Sequence, residues 1–158
     1  MLIGLVFLVG LGGVEQALAQ VVDEPAPEFH VYSMDGRFFS TESLEGEQTL
    51  LMFWAPWCGV CQRELPKLAQ YYRETGSAEV QILTIGTAAP SDQVTAYVES
   101  HSGTFVFPTV YDEGRLLQDT FGVRAFPTYV LLDENGTIQM IHRGGNVLRS
   151  RRFQSLVE

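Results

Sequence analysis

Apolar positions along this chain recur with two different periods, and the places where the period changes predict its elements. Thr49 to Trp54, reading Thr-Leu-Leu-Met-Phe-Trp, is an almost unbroken apolar run of strand length, the pattern of a central strand covered on both faces. Ahead of it, Phe29 to Met34 and Arg37 to Ser40 flank Asp35-Gly36 and read as two antiparallel strands, with Leu44 to Gln48 as a connection. After it, Val60, Leu65, Leu68, Ala69 and Tyr72 fall at helical spacing. They predict a helix that opens at the cysteine pair 58–61, is kinked by Pro66 and stops near Glu74 before Gly76. Glu79 to Gly86 predicts a strand, and Ser91 to Ser100 a helix capped by Ser91 that turns Val94, Tyr97 and Val98 inward.

The remainder follows the same logic. Phe105 to Tyr111 is short and extended, and Leu116 to Phe121 gives one or two helical turns ended by Gly122. Thr128 to Leu132 and Thr137 to His142 form a hairpin across Glu134-Asn135-Gly136, and Val147 to the end is a final helix. Strands alternate with helices early and a hairpin closes the sheet. The fold class is therefore α/β, with a mixed central β-sheet flanked by helices on both faces and an added N-terminal β-hairpin.

The first nineteen residues stand apart in composition. An apolar run from Leu2 to Leu11 is too short to span a bilayer, which needs about 20 residues. Ala17 and Ala19 satisfy the small-residue rule for cleavage before Gln20, so residues 1–19 read as an export signal or a short N-terminal anchor. No Lys or Arg precedes Arg37, so this reading rests on the apolar run and the two alanines. Residues 20–28, acidic and proline-bearing, read as a linker, and 29–158 as one domain.

Charge then narrows the partners. Ten basic against nineteen acidic residues give a net charge of −9, which disfavours a phosphate-binding surface and with it nucleic acid. Arg149, Arg151 and Arg152 form a small basic cluster that reads as the solvated face of the last helix.

The chain has two cysteines, Cys58 and Cys61. A disulfide closing so short a loop gains only about 2 kcal/mol from chain entropy, a weak reason to keep a purely structural bridge. A zinc site needs four ligands, and His30, His101 and His142 are not spaced to complete one; c-type haem needs His after the second cysteine, where Gln62 stands. No metal and no cofactor beyond the cysteine pair itself is expected. Cys58 sits where a strand gives way to a helix, and the unpaired N–H groups there favour a thiolate. Cys58 is the expected nucleophile, Cys61 one turn on the expected resolving thiol, and Trp57 an apolar shoulder for a partner chain.

Phe53 to Pro66, reading Phe-Trp-Ala-Pro-Trp-Cys-Gly-Val-Cys-Gln-Arg-Glu-Leu-Pro, resembles the active-site segment of the thioredoxin superfamily, above all its exported TlpA-like and DsbE-like branch. Phe121 to Thr128, followed by a hydrophobic strand and Asp133-Glu134-Asn135-Gly136, resembles that family's cis-proline loop. The resemblance covers about Phe29 to Gly145 and implies a thioredoxin fold with a cis Phe126–Pro127 bond beside the cysteines. Such a bond lacks an N–H and would leave neighbouring backbone free for an extended substrate, with Phe126 and Pro127 among the substrate-binding residues. It also implies that Glu64, three positions after Cys61, tunes the pair, although a solvated helix glutamate fits the same position. The buried aspartate that cytosolic thioredoxins carry six residues before the first cysteine is here Met52, so proton transfer to Cys61 falls to Glu64 or to water.

The function expected is thiol-disulfide exchange with protein substrates outside the cytoplasm, in the periplasm. The expected direction is reduction, by a monomer resupplied with electrons by a membrane protein. Gly59-Val60 does not fix the direction, so a disulfide oxidase or isomerase stays open, as does a redox-inert binding module on the same fold. A peroxidase is disfavoured because Ala55 stands where related peroxidases carry Thr.

Overall fold

A computed structural model describes residues 22–76 and 80–157, so the expected leader 1–19 and Glu79 lie outside the described residues. The first two strands, β1 (His30–Tyr32) and β2 (Phe38–Ser40), pair antiparallel as expected. Their turn is wider than a two-residue one. A two-residue type I′ or II′ turn needs positive φ at its first central residue, here Asp35, but of the pair only Gly36 has it (φ 85°), so Ser33 and Arg37 close a three-residue turn through a 2.8 Å N–H···O bond. A 3-10 turn at Glu42–Leu44 then leads into β3 (Thr49–Trp54), every residue of which is buried.

Helix α1 (Gly59–Thr75) follows and runs through Pro66 as one helix, with Gly76 at its end in positive φ. Next come β4 (Gln81–Gly86), α2 (Ser91–Ser100), β5 (Thr109–Tyr111), α3 (Leu116–Thr120), β6 (Thr128–Leu132) and β7 (Ile138–Arg143). The last expected helix is divided. A 3-10 turn at Val147–Arg149 is separated from α4 (Arg151–Val157) by Ser150 in extended conformation. Ser91 is not the cap of α2: Pro90 holds that position, without a side-chain bond, and Ser91 is the first helical residue. Only the last three residues of the expected 105–111 strand pair, because Thr104 and Phe105 fold back on His101.

The five-stranded sheet has the order β5-β4-β3-β6-β7, with β3, β4 and β5 parallel and β6 and β7 antiparallel. Alternation along β3 divides the core in two. Leu50, Met52 and Trp54 face α1, Val94 of α2 and Phe153 of α4, while Leu51 and Phe53 face Leu117 and Phe121 of the α3 side together with Phe29 and Phe39 of the N-terminal hairpin. Both edges of the sheet carry a cover. Ser33 bridges to Val110 on β5, and the segment read as a linker lies against the turn before β7, with a Pro25–Thr137 bridge and Ala26 buried.

Candidate active site

The central strand delivers the cysteines. β3 ends at Trp54, residues 55–58 turn, with the Cys58 N–H donating to the Ala55 carbonyl at 3.0 Å, and α1 begins at Gly59. Cys58 is the N-cap of α1, extended at φ −84° and ψ 102°, and its Sγ accepts the Cys61 N–H at 3.1 Å. The sulfur thus occupies the place where a helix start offers unpaired donors and positive potential. Cys58 and Cys61 are joined in a disulfide. Cys58 keeps an edge to solvent at 6% exposure, whereas Cys61 has none and lies in the apolar cluster with Met52, Leu65 and Leu68.

The cis-proline expectation is met in place and in kind. The Phe126–Pro127 bond is cis. Antiparallel pairing of Phe53 with Thr128 sets Pro127 alongside Trp54, at the cysteine end of the sheet. Trp57 is exposed, stands edge-on to Phe126 with ring centres 5.7 Å apart, and donates its indole N–H to the Ala88 carbonyl at 2.9 Å. Ala88 offers that carbonyl from a left-handed backbone (φ 54°), and its part in orienting Trp57 carries no local mark in the sequence.

Glu64 is buried, which its sequence position left undecided, and its carboxylate has two donors. Oε2 accepts the backbone N–H of Asn146 at 2.7 Å and Oε1 accepts the Lys67 ammonium at 2.7 Å. On β6, the buried Tyr129 hydroxyl has no hydrogen-bond partner, and burial together with the charge of Glu64 pushes its ionisation far above the usual phenol range. Tyr129 lies opposite Met52 in the β3–β6 register, and both belong to the buried cluster that holds Cys61. Among the described residues the buried carboxylates are Glu64 and Asp112, and both oxygens of Asp112 are taken by the N–H groups of Leu117 and Gln118 at the start of α3.

The three histidines have other neighbours. His30 is exposed on β1, His101 stacks on Tyr97 at 4.1 Å, and the ring of His142 meets the Gly145 carbonyl through Nε2 at 3.0 Å. Among the described residues no group of three or more His, Cys, Asp or Glu side chains could hold a metal ion. The Gly144–Asn146 turn has no counterpart in the sequence reading. Gly-Gly-Asn marks a turn, but nothing local ties it to Glu64 in another part of the chain.

A disulfide-linked cysteine pair at a helix start and a cis-proline loop agree with what similar proteins are. The AhpC/TSA family profile matches residues 22–141. The chain is 32% identical over 122 residues to the thiol-disulfide oxidoreductase ResA of Halalkalibacterium halodurans, covering 77% of this chain and 68% of that protein. It is 32% identical over 123 residues to the thioredoxin-like protein YneN of Bacillus subtilis, covering 77% and 71%. Its fold matches a thiol:disulfide interchange protein of the thioredoxin family from Chlorobium tepidum with a TM-score of 0.72, over 89% of this chain and 100% of that one, at 22% identity. The chain belongs to the AhpC/TSA family, and it is a thiol-disulfide oxidoreductase with the thioredoxin fold.

Proposed function

We propose that this oxidoreductase works as a reductase of disulfides in protein substrates outside the cytoplasm. The observation that carries the direction is the buried Glu64 carboxylate one helical turn beyond Cys61. A negative charge there opposes a thiolate more than it opposes a disulfide, so it favours the oxidised form of the protein and makes the dithiol the better electron donor. The helix start works the other way and keeps Cys58 nucleophilic.

In this reading the Cys58 thiolate attacks one sulfur of a substrate disulfide. A mixed disulfide forms and the substrate's other sulfur leaves as a thiolate. Cys61, having given up its proton, then attacks Cys58 and releases the second substrate sulfur. Two electrons pass to the substrate, whose two thiolates take up the proton released by Cys61 and one from solvent, where Cys58 had left its own; the Cys58–Cys61 disulfide of the structure is the oxidised end state. Trp57 and Phe126 supply an apolar shoulder for the substrate, and Pro127, lacking an N–H, leaves neighbouring backbone open to pair with an extended segment.

Turnover requires fresh electrons, for which we assign a membrane-bound dithiol donor, in keeping with the leader-like residues 1–19. No helix among the described residues is long and apolar enough to cross a membrane. The cover on both sheet edges supports a monomer.

Insulin reduction with Cys58→Ser as control, together with the Cys58–Cys61 potential against glutathione, tests the assignment. Thiol-dependent turnover and a potential near about −270 mV are expected. A potential near about −120 mV would make the protein an oxidase, and absent turnover a binding module.

A further inference from the structure

The turn after β7 touches both halves of the site. Gly144, at φ 90°, donates its N–H to the Pro127 carbonyl at 2.8 Å, and two residues on, Asn146, left-handed at φ 65°, donates its N–H to Glu64 Oε2 at 2.7 Å. Gly145 lies between them. A Cβ on Gly145 would stand 3.2 Å from Glu64 Oε1, 3.3 Å from Glu64 Cδ and 3.3 Å from Val60 Cγ1. All three are closer than the roughly 3.5 Å at which non-bonded carbon contacts begin to be comfortable. Gly145 has no positive φ, so its need for glycine comes from this close approach alone.

We propose that the Gly144–Asn146 turn is the positioning element that seats the Glu64 carboxylate beside the cysteine turn and registers it against the cis-proline loop, with Gly145 the residue that makes the seat possible. The inference rests on the role given to Glu64 above. The turn approaches from the Val60 side, while Lys67 holds Oε1 from the next turn of α1. Any side chain at 145 therefore drives the carboxylate toward Lys67 and away from the sulfurs. Other polar groups facing this carboxylate are Tyr129 from β6, and Gln70, Tyr71, Glu74 and Arg149, which line a cavity of about 250 Å³ that Glu64 shares. His142 bonds the Gly145 carbonyl and so belongs to the turn. Oε2 takes its hydrogen bond from the Asn146 N–H.

The test titrates Cys58 in the reduced full chain by the pH dependence of iodoacetamide alkylation, in wild type, Gly145→Ala, Glu64→Gln and the double variant. Gly145→Ala is expected to lower the midpoint by about half a pH unit, in the same direction as Glu64→Gln, and to add nothing in the Glu64→Gln background. A wild-type profile for Gly145→Ala beside a shifted Glu64→Gln overturns the positioning role and leaves the reading of Glu64 standing. An unshifted Glu64→Gln overturns both. Additive shifts overturn the positioning role, since the turn would then act by another route. Should Gly145→Ala fail to fold, the same change is made in Val60→Ala, which removes one close contact and keeps the one to the carboxylate. The shift relative to Val60→Ala is expected to persist there, and its absence is equally fatal.

Discussion

Replacing Glu64 with Gln removes a charge and keeps a shape, so its effect on the cysteines can be worked out in advance. Residues three apart on a helix have Cβ atoms about 5–6 Å apart, which sets the scale for the carboxylate and the Cys61 sulfur. At about 6 Å and an effective dielectric of about 20, a carboxylate and a thiolate repel by about 3 kcal/mol. That equals about 2 pH units of thiol titration. Lys67 is half exposed and bound to Oε1, so it cancels part of the field, and about one unit is the expected shift. The sign is fixed: the carboxylate disfavours the thiolate, so Glu64→Gln lowers the titration midpoint and makes the reduced form easier to hold.

The potential must follow. Stabilising the dithiol by about 1.4 kcal/mol raises the reduction potential by about 30 mV, which makes the variant a weaker reductant wherever the thiolate is populated. Ultraviolet thiolate absorbance gives the midpoint, and equilibration with glutathione gives the potential. A midpoint that rises, or one that falls while the potential stays fixed at a pH above it, would refute the electrostatic account. Should both stay where they are, Glu64 is only a packing residue held by Asn146 and Lys67.

Other positions test the frame around the site. Asp112→Ala strips the N–H groups of Leu117 and Gln118 of their acceptor in a buried place, and a loss of about 2–4 kcal/mol is expected in urea unfolding, larger than for Asp119→Ala on the exposed side of the same helix. Gly86→Ala would put a Cβ 2.6 Å from Val94 Cγ1 and 3.2 Å from Trp54 Cζ2; a loss of about 1–3 kcal/mol is expected, with partial recovery in Val94→Ala. The Arg37 guanidinium, aided by Ser33, holds Asp35 at about 2, below its usual range. Because its folded value is the lower one, its contribution is present above the ordinary carboxylate range and lost as pH falls toward about 2. The gap in melting temperature between wild type and Asp35→Asn should therefore be constant from about pH 5 to pH 8 and close only in acid.

What the sequence could disclose followed the range of the interaction concerned. The burial of β3 is written in its own six residues, and the helix start in the cysteines themselves, so both were legible. Boundaries set by a neighbour were not. Ser91 looks like a cap, but Pro90 fixes the backbone that enters α2 and takes the position. The final helix divides at Ser150, where extended backbone precedes α4 and the Ser150 carbonyl accepts the Gln154 N–H as the new helix begins. Asp35-Gly36 reads as a two-residue turn, yet Asp35 does not adopt positive φ and the turn takes a third residue. The burial of Glu64 was out of reach for the same reason. Its donor Asn146 and its buried neighbour Tyr129 come from distant strands and turns, which the helix periodicity of α1 does not sense.

That geometry explains how the site accommodates Met52. A carboxylate on β3 would enter from the sheet side, where Met52 and Tyr129 now form a buried floor and the Tyr129 hydroxyl has no partner among the described residues. An acid there would have to find its donors within that buried floor, and an unpaired buried charge is costly. On α1 the same negative charge arrives from the helix side, and the turn after β7 brings a backbone N–H to meet it. The two arrangements differ in what holds the acid. A strand acid depends on the packing of the core, whereas Glu64 depends on a turn that is also bonded to the cis-proline loop. The proline loop proposed to receive substrate and the Glu64 charge are therefore held by one short stretch of backbone.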